Sequence, residues 1–305
     1  MFKPLFFTVT GIILLLAGMN FLREGLKKFA GSYFQEILHK LTVTSGKGFI
    51  SGIVVTAFLQ SSTALTVMAV SLVDAELICF ENTLGLILGS NIGSTLTSQL
   101  MAFPLDKISI WLIVIGSAGF VLIKVRTRFL LLSLAGIGVM FFSLSLLEAA
   151  MIPITGMSWV QNSLHSLHSN HFYCILAGTF FSALLHSSSA ATGIAMVLTE
   201  EGWLSLPASF AFILGANIGT CFTALIVSFF ASRSAQKVAI FHVLINVFGV
   251  IVFYPFLSPF TKIITLLGDN LSRQVANTHT FFNLASSLLV LPLLPLVIRL
   301  LNRLR

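Results

Sequence analysis

The chain is a succession of apolar runs of nearly uniform length, at 5–22, 49–73, 83–103, 108–124, 129–149, 172–199, 207–231, 238–257 and 279–300. A helix crossing the ~30 Å hydrocarbon core of a bilayer needs about 20 apolar residues at 1.5 Å each. Most runs fit that length; 49–73 and 172–199, among the longest, are each interrupted near the centre by polar residues. Only 9% of the 305 residues are Asp, Glu, Lys or Arg, against roughly 25% in a soluble domain. So few charges cannot cover a water-facing surface. A soluble enzyme, a nucleic-acid-binding domain, a secreted disulfide scaffold and a disordered chain are thereby excluded. The net charge of +7 then bears on membrane orientation and implies no nucleic-acid partner. Cys79, Cys174 and Cys221 are odd in number and lie in or beside apolar runs, as small buried side chains do. The first run lacks a small-x-small cleavage site and reads as a first spanning helix.

The two interrupted runs are copies of one another. Residues 49–97 written above 175–223, at a constant offset of 126, need no gap and give 16 identities in 49 positions. Leu59-Gln60-Ser61-Ser62 faces Leu185-His186-Ser187-Ser188, and Asn91-Ile92-Gly93 faces Asn217-Ile218-Gly219. Apolar composition produces chance Leu and Ile matches, but not two coincident polar motifs at one offset. Repeats of this kind mark secondary transporters.

Residues 49–59, as a helix, reach about 16 Å, roughly half of the hydrocarbon core. Gln60-Ser61-Ser62-Thr63 follows, then a second half-length apolar stretch, and 175–199 repeats the pattern. Two half-helices meeting at a polar tip make a re-entrant hairpin with its tip near the midplane, facing protein or a water-filled cavity. With re-entrant hairpins and the N-terminus outside, 13 Lys and Arg lie on the cytoplasmic side and four (Lys3, Lys107, Lys262, Arg273) outside. If both runs span instead, the best division is 11 against 6. The positive-inside rule favours the hairpins. Each repeat then holds three spanning helices, and an odd number turns the second copy upside down.

The expected fold is an all-α polytopic membrane protein of two inverted repeats, each with three spanning helices and a re-entrant helical hairpin, plus an extra C-terminal helix. The expected boundaries are 1–127 for the first repeat (hairpin 47–75), 128–257 for the second (hairpin 172–200), and 258–305 for a loop and C-terminal transmembrane helix. Stretches 23–40 and 154–170 read as interfacial segments before each hairpin.

The acids lie in loops or at run ends, and no Lys or Arg occupies the centre of an apolar run. His186 and His242 are the titratable groups expected inside, which argues against proton coupling. What the interior offers is hydroxyl and amide: Gln60, Ser61, Ser62 and Thr63 at one tip, Ser187, Ser188 and Ser189 at the other. Thr66, Thr192, Asn91, Thr95, Thr97, Asn217, Thr220 and Thr223 lie behind them. Such oxygens, with the freed carbonyls of a broken helix, suit a small hard cation such as Na+. Ser62/Thr63 and Ser188/Ser189 are N-cap types at the second half-helix of each hairpin, and two helix N-termini converging at the tips make an anion site without arginine. The competing structural reading has Ser and Thr bonding back onto their own helices and Gly serving close packing. His165, His168 and His171 have helical spacing but no Cys or acid nearby, and read as an interfacial polar face rather than a metal site. His186 beside Ser187 lacks the context of a nucleophile, so no enzyme is expected. His242 and Asn246, one turn apart, read as interhelical hydrogen-bonding groups.

These paired motifs resemble the type II sodium-dependent inorganic phosphate cotransporters and their bacterial relatives: Gln60-Ser61-Ser62-Thr63 with Asn91-Ile92-Gly93-Ser94-Thr95, then Ser187-Ser188-Ser189 with Asn217-Ile218-Gly219-Thr220. Gly18-Met19-Asn20 through Gly25-Leu26 is also similar to that family's opening helix. The resemblance covers about 11–257. It implies a secondary transporter coupling Na+ to inorganic phosphate. Ser61, Ser62, Ser187 and Ser188 are expected to hold the phosphate. Gln60, Thr63, Ser189, Asn91, Thr95, Asn217, Thr220, Thr66 and Thr192 are assigned to Na+ or to tip geometry. No cofactor is expected beyond Na+ as coupling ion. His186 stands where the family usually has Gln, and its role is open. Phosphate export, transport of another oxyanion, and a non-transporting phosphate-binding membrane subunit are the alternatives. The sequence carries neither the C-terminal regulatory domain of some bacterial members nor the large Cys-containing outer loop of animal ones. The expectation is a bacterial inner-membrane protein with its C-terminus cytoplasmic; oligomeric state, a homodimer included, is left open.

Overall fold

The structure, a computed structural model, describes residues 2–31, 44–154 and 170–303, and every regular element among them is helical. The elements relevant here are α1 (Phe2–Ala30), α2 (Ser45–Leu59), α3 (Ser62–Asp74), α4 (Phe80–Met101), α5 (Ser109–Leu122) and α6 (Arg128–Ile154). They continue as α7 (His171–Leu185), α8 (Ser188–Glu200), α9 (Leu206–Gly219), α10 (Cys221–Ser228), α11 (Arg233–Phe253), α12 (Leu257–Ile264), α13 (Leu271–Val290) and α14 (Leu294–Arg303). Five segments are long and apolar enough to cross a bilayer: Pro4–Ala30, Arg128–Ala150, Leu206–Ser228, Arg233–Ile264 and Leu271–Arg303. Phe80–Met101 and Asp106–Leu122 qualify together, bent by 75°. The chain is a multi-pass helical membrane protein.

Both interrupted runs break where the polar residues fall. Gln60 ends α2 at φ 52° and His186 ends α7 at φ 52°, both left-handed. Ser61 and Ser187 then take extended backbone and cap the next helix, each hydroxyl accepting from the N–H three residues on (Ala64 and Ala190, both 3.1 Å). An N-cap side chain of this kind satisfies one of the four N–H groups that a helix start leaves over.

Glycine contacts fix the direction of the return. A Cβ on Gly89 would collide with the carbonyl of Phe49, and one on Gly93 would meet that of Ile53. Residue numbers therefore rise together along α2 and α4, which lie side by side and parallel. Since α4 begins beside the start of α2, where the Ser45 hydroxyl meets the Glu81 carbonyl at 3.4 Å, α3 must run back from the tip. The pair α2–α3 is a hairpin. The second copy repeats this: Gly215 lies against the Ile175 carbonyl and Gly219 against that of Thr179, making α7 and α9 parallel and α7–α8 a hairpin. Glycine is required at these positions because the backbones leave no room for a side chain.

The opening helices of the two copies, α1 and α6, also form a pair. Gly11 meets Leu147, Gly18 meets Met140, and Gly25 meets Ser133. Residue numbers fall on one helix as they rise on the other, so α1 and α6 are antiparallel.

Four details differ from the sequence reading. The half-helices are longer than 11 residues, at 15 for α2 and α7 and 13 for α3 and α8. Of these, α2 and α7 gain theirs at the N-terminal end, where Thr44 and Asn170 cap them and they begin at Ser45 and His171, four residues before the expected starts. The run 108–124 forms α5, only 14 residues, about 21 Å by helical rise and too short to cross the core upright. Run 207–231 stays one apolar segment, Leu206–Ser228, with a local irregularity at the still-helical Thr220 between α9 and α10. Residues 258–270 include most of a two-turn helix, α12, in place of a plain loop. The interfacial segments placed at 23–40 and 154–170 lie largely outside the described residues, except that α1 continues to Ala30.

Candidate functional site

The hairpins bring their tips together across 123 residues of sequence: the Thr63 hydroxyl donates to the carbonyl oxygen of His186 at 3.3 Å. Ser189, at the position equivalent to Thr63, donates to the carbonyl of Ser94 at 2.9 Å. Gln60, Ser62, Thr63, Ser188 and Ser189 are all buried here, with Ser61 and Ser187 half-buried and the side chain of His186 exposed.

Each tip is held to the helix after its hairpin in the same way. The Thr97 hydroxyl donates to Gln60 Oε1, and Thr223 Oγ1 bonds His186 Nδ1 at 2.7 Å. Thr97 and Thr223 are themselves one offset apart. Imidazole in place of the amide therefore keeps the tether, which explains how His186 fits a place otherwise suited to Gln.

At the start of α3 and α8, the first-turn N–H groups have no acceptor within their own helix. Ser61 and Ser187 accept one N–H each, which leaves their hydroxyl hydrogens free to donate. Ser62 and Ser188 add a hydroxyl at the first helical position. Two helix N-termini lined by four serine hydroxyls can take an oxyanion.

The remaining predicted residues divide. Thr95, Thr192 and Thr220 donate to carbonyls of their own helices, Ile92, Ser188 and Asn217 respectively, each at 2.8 Å. Asn217 donates to Ile213 at 2.9 Å. This is the back-bonding expected of polar residues in membrane helices, although a donating hydroxyl keeps its oxygen lone pairs for a cation. Thr66 is buried with a partnerless hydroxyl. Asn91 belongs to another group: its Oδ1 lies 3.3 Å from His242 Nε2, and its amide donates to Asn246 Oδ1 at 3.5 Å. Asn246 in turn donates to the His242 carbonyl at 2.8 Å and to Cys221 Sγ at 3.3 Å. His242 and Asn246 are thus interhelical bonding groups, as their spacing predicts, and they clamp α4, α10 and α11 behind the tips.

The titratable groups inside are not the expected pair: His242 is buried, His186 is exposed, and His279, at the start of an apolar run, is fully buried on α13 with Nδ1 2.8 Å from the Ser98 hydroxyl. Three further positions, nearer the tips, escaped the sequence reading. Arg23, in the last turns of α1, sends Nη2 to the carbonyl of Gln60 at 3.4 Å. Counted with the loop charges, it is half-buried instead. Thr56 and Ser182, one turn before each tip and one offset apart, are fully buried with partnerless hydroxyls. They are not identical residues, so matching by identity passes over them. Among the described residues, no three His, Cys, Asp or Glu side chains gather to hold a metal ion; His165 and His168 lie outside those residues.

The sequence profile of a family described as "Na+/Pi-cotransporter" matches residues 14–149 and 153–268. The chain belongs to the Na+/Pi-cotransporter family. It is therefore a member of a phosphate transporter family, not an enzyme family. Among its relatives, the YqeW protein of Bacillus subtilis, whose name states no function, is 35% identical over 95% of both chains. The YjbB protein of Salmonella typhimurium, provisionally named an inorganic phosphate export protein, is 30% identical over 97% of this chain and 54% of its own length. The chain thus spans about half of that relative. The bovine sodium-dependent phosphate transport protein 2B is 28% identical over 42% of this chain and 18% of its own. No solved structure matches the chain.

Proposed function

We propose that this protein is a secondary transporter that moves inorganic phosphate across the plasma membrane, coupled to Na+, with phosphate held between the two hairpin tips. The observation that carries this reading is the meeting of the tips, Thr63 on the His186 carbonyl, each tip presenting a serine-capped helix start. Ser61, Ser62, Ser187 and Ser188, with the adjoining backbone N–H groups, hold the anion. Gln60, Thr63, Ser189 and the hydroxyls and amides behind them offer neutral oxygen to Na+. Phosphate and Na+ bound side by side offset one another's charge, which lowers the cost of desolvating each.

The antiparallel α1–α6 pair and the twice-built hairpin units support an inverted relation between the repeats. In that arrangement the hairpins re-enter from opposite sides, with the N-terminus outside and the C-terminus cytoplasmic. Alternating access follows from movement of one bundle against the other about the tips.

The test is uptake of radiolabelled phosphate by proteoliposomes under imposed Na+ gradients of either sign. Accumulation that follows the Na+ gradient is expected; flux indifferent to Na+ would sink the coupling. Ser62→Ala and Ser188→Ala should each raise the KM for phosphate about ten-fold, the loss of one hydrogen bond to a charged group. The name of the Salmonella relative favours a second reading, net export. It predicts faster flux out of the cytoplasmic side under physiological gradients.

A further inference from the structure

Among the described residues, no carboxylate pairs with Arg23. Its neighbours on α1, Leu22 and Met19, are in the core. Nη2 reaches the carbonyl of Gln60 at 3.4 Å, while Nε is fully buried with no partner. The adjacent Glu24 turns to Lys28 at 3.9 Å, the one ion pair among the described residues. A guanidinium keeps its charge at any pH the protein meets, and a buried N–H of a charged group without an acceptor is costly. What is missing is an acceptor, and the charge favours an anionic one.

The place of this charge is specific. The Gln60 carbonyl belongs to the peptide unit that leads into Ser61, the cap of α3, so the guanidinium lies one peptide from that cap, on the carbonyl side of the unit. The second repeat shows no such contact among the described residues: the matching carbonyl, that of His186, receives the neutral hydroxyl of Thr63. Arg23 also disfavours Na+ at the main-chain oxygen of Gln60, since two cations cannot share it at little cost, and leaves Oε1 as the Gln60 oxygen open to Na+.

We propose that Arg23 is a specificity-determining residue of the first tip. It bonds the oxyanion arriving at the N-terminus of α3 and supplies, as a fixed charge, compensation that the second tip must draw from a coupling cation. This rests on the tips being the phosphate site.

The experiment is phosphate uptake by the full-length protein in proteoliposomes, titrated against phosphate and against Na+, for wild type, R23Q and R23K. Removing the charge in R23Q should raise the KM for phosphate about ten-fold or more and steepen the dependence on Na+. R23K, which keeps the charge without the planar fork, should recover part of the affinity and the wild-type Na+ dependence. A KM unchanged in R23Q, whatever happens to the maximal rate, would overturn the proposal and leave Arg23 a packing residue. A KM in R23K no lower than in R23Q would do the same. If R23Q does not fold, R23K decides alone: a Na+ dependence unlike wild type overturns the proposal. Ser62→Ala and Ser188→Ala separate the two levels. If they leave the KM unchanged, the tip reading itself fails; if they raise it and R23Q does not, only the role of Arg23 fails.

Discussion

At the scale of single residues, the tips were legible where local chemistry sets identity, and position to within one residue. A helix start needs an oxygen-bearing side chain at its cap. The sequence suggests Ser62 or Thr63 and Ser188 or Ser189 for that role. The structure gives it to Ser61 and Ser187, one residue earlier, because the helices begin at once after the left-handed Gln60 and His186. Arg23 was not legible: a charge at the end of an apolar run reads as a loop anchor, and only tertiary packing places it against Gln60. Thr97 and Thr223 were visible as identities at one offset, but their task emerges from the fold, where each tethers a tip residue. Thr97→Val or Thr223→Val leaves the amide or imidazole of the tip without its partner. Each should cost about 0.5–1.5 kcal/mol, read as a two- to ten-fold rise in phosphate KM. The double variant should fall short of the product of the two effects if both threonines serve one site. Phosphate titrations of uptake by the four proteins measure this directly.

At the scale of elements, the hairpins were legible because two half-length apolar stretches cannot span, and a polar interruption at depth must turn. Their exact extents were not, since half-helix length depends on caps and flanks that composition alone does not weigh. The glycines where each hairpin meets the helix that follows it show what the repeat preserves. Gly52 and Gly89 in the first copy, Gly178 and Gly215 in the second, lie on the carbonyls of the facing helix at equivalent places. Gly178→Ala and Gly215→Ala push a methyl group into the backbone of α9 and α7 respectively. Neither contact can yield, because the obstructing atom is a main-chain oxygen. Each substitution should destabilise the folded protein by about 1–3 kcal/mol, seen as a lowered unfolding midpoint in detergent. Ala177→Ser, on the half-buried side of α7, should leave the midpoint nearly unchanged.

At the scale of the whole molecule, the decisive question is whether the two repeats face opposite ways. Scarce charge, unevenly distributed, favours that arrangement from the sequence, and the antiparallel α1–α6 pair favours it from the fold. The open ends of the hairpins make a direct measure. Cys79 is exposed at the open end of the first hairpin, and Cys174 and Cys221 are buried, so the native chain already carries one accessible thiol. Glu201, exposed at the open end of the second hairpin, is the matching position. In intact cells, an impermeant maleimide should leave Cys79 unmodified and should label Glu201→Cys in a Cys79→Ser background. After permeabilisation both should react. If the hairpins spanned instead of re-entering, or if the copies ran the same way, both thiols would react from one side. In that case two helix starts pointing the same way could not converge on a shared anion, and the tips would lose the geometry on which phosphate binding depends.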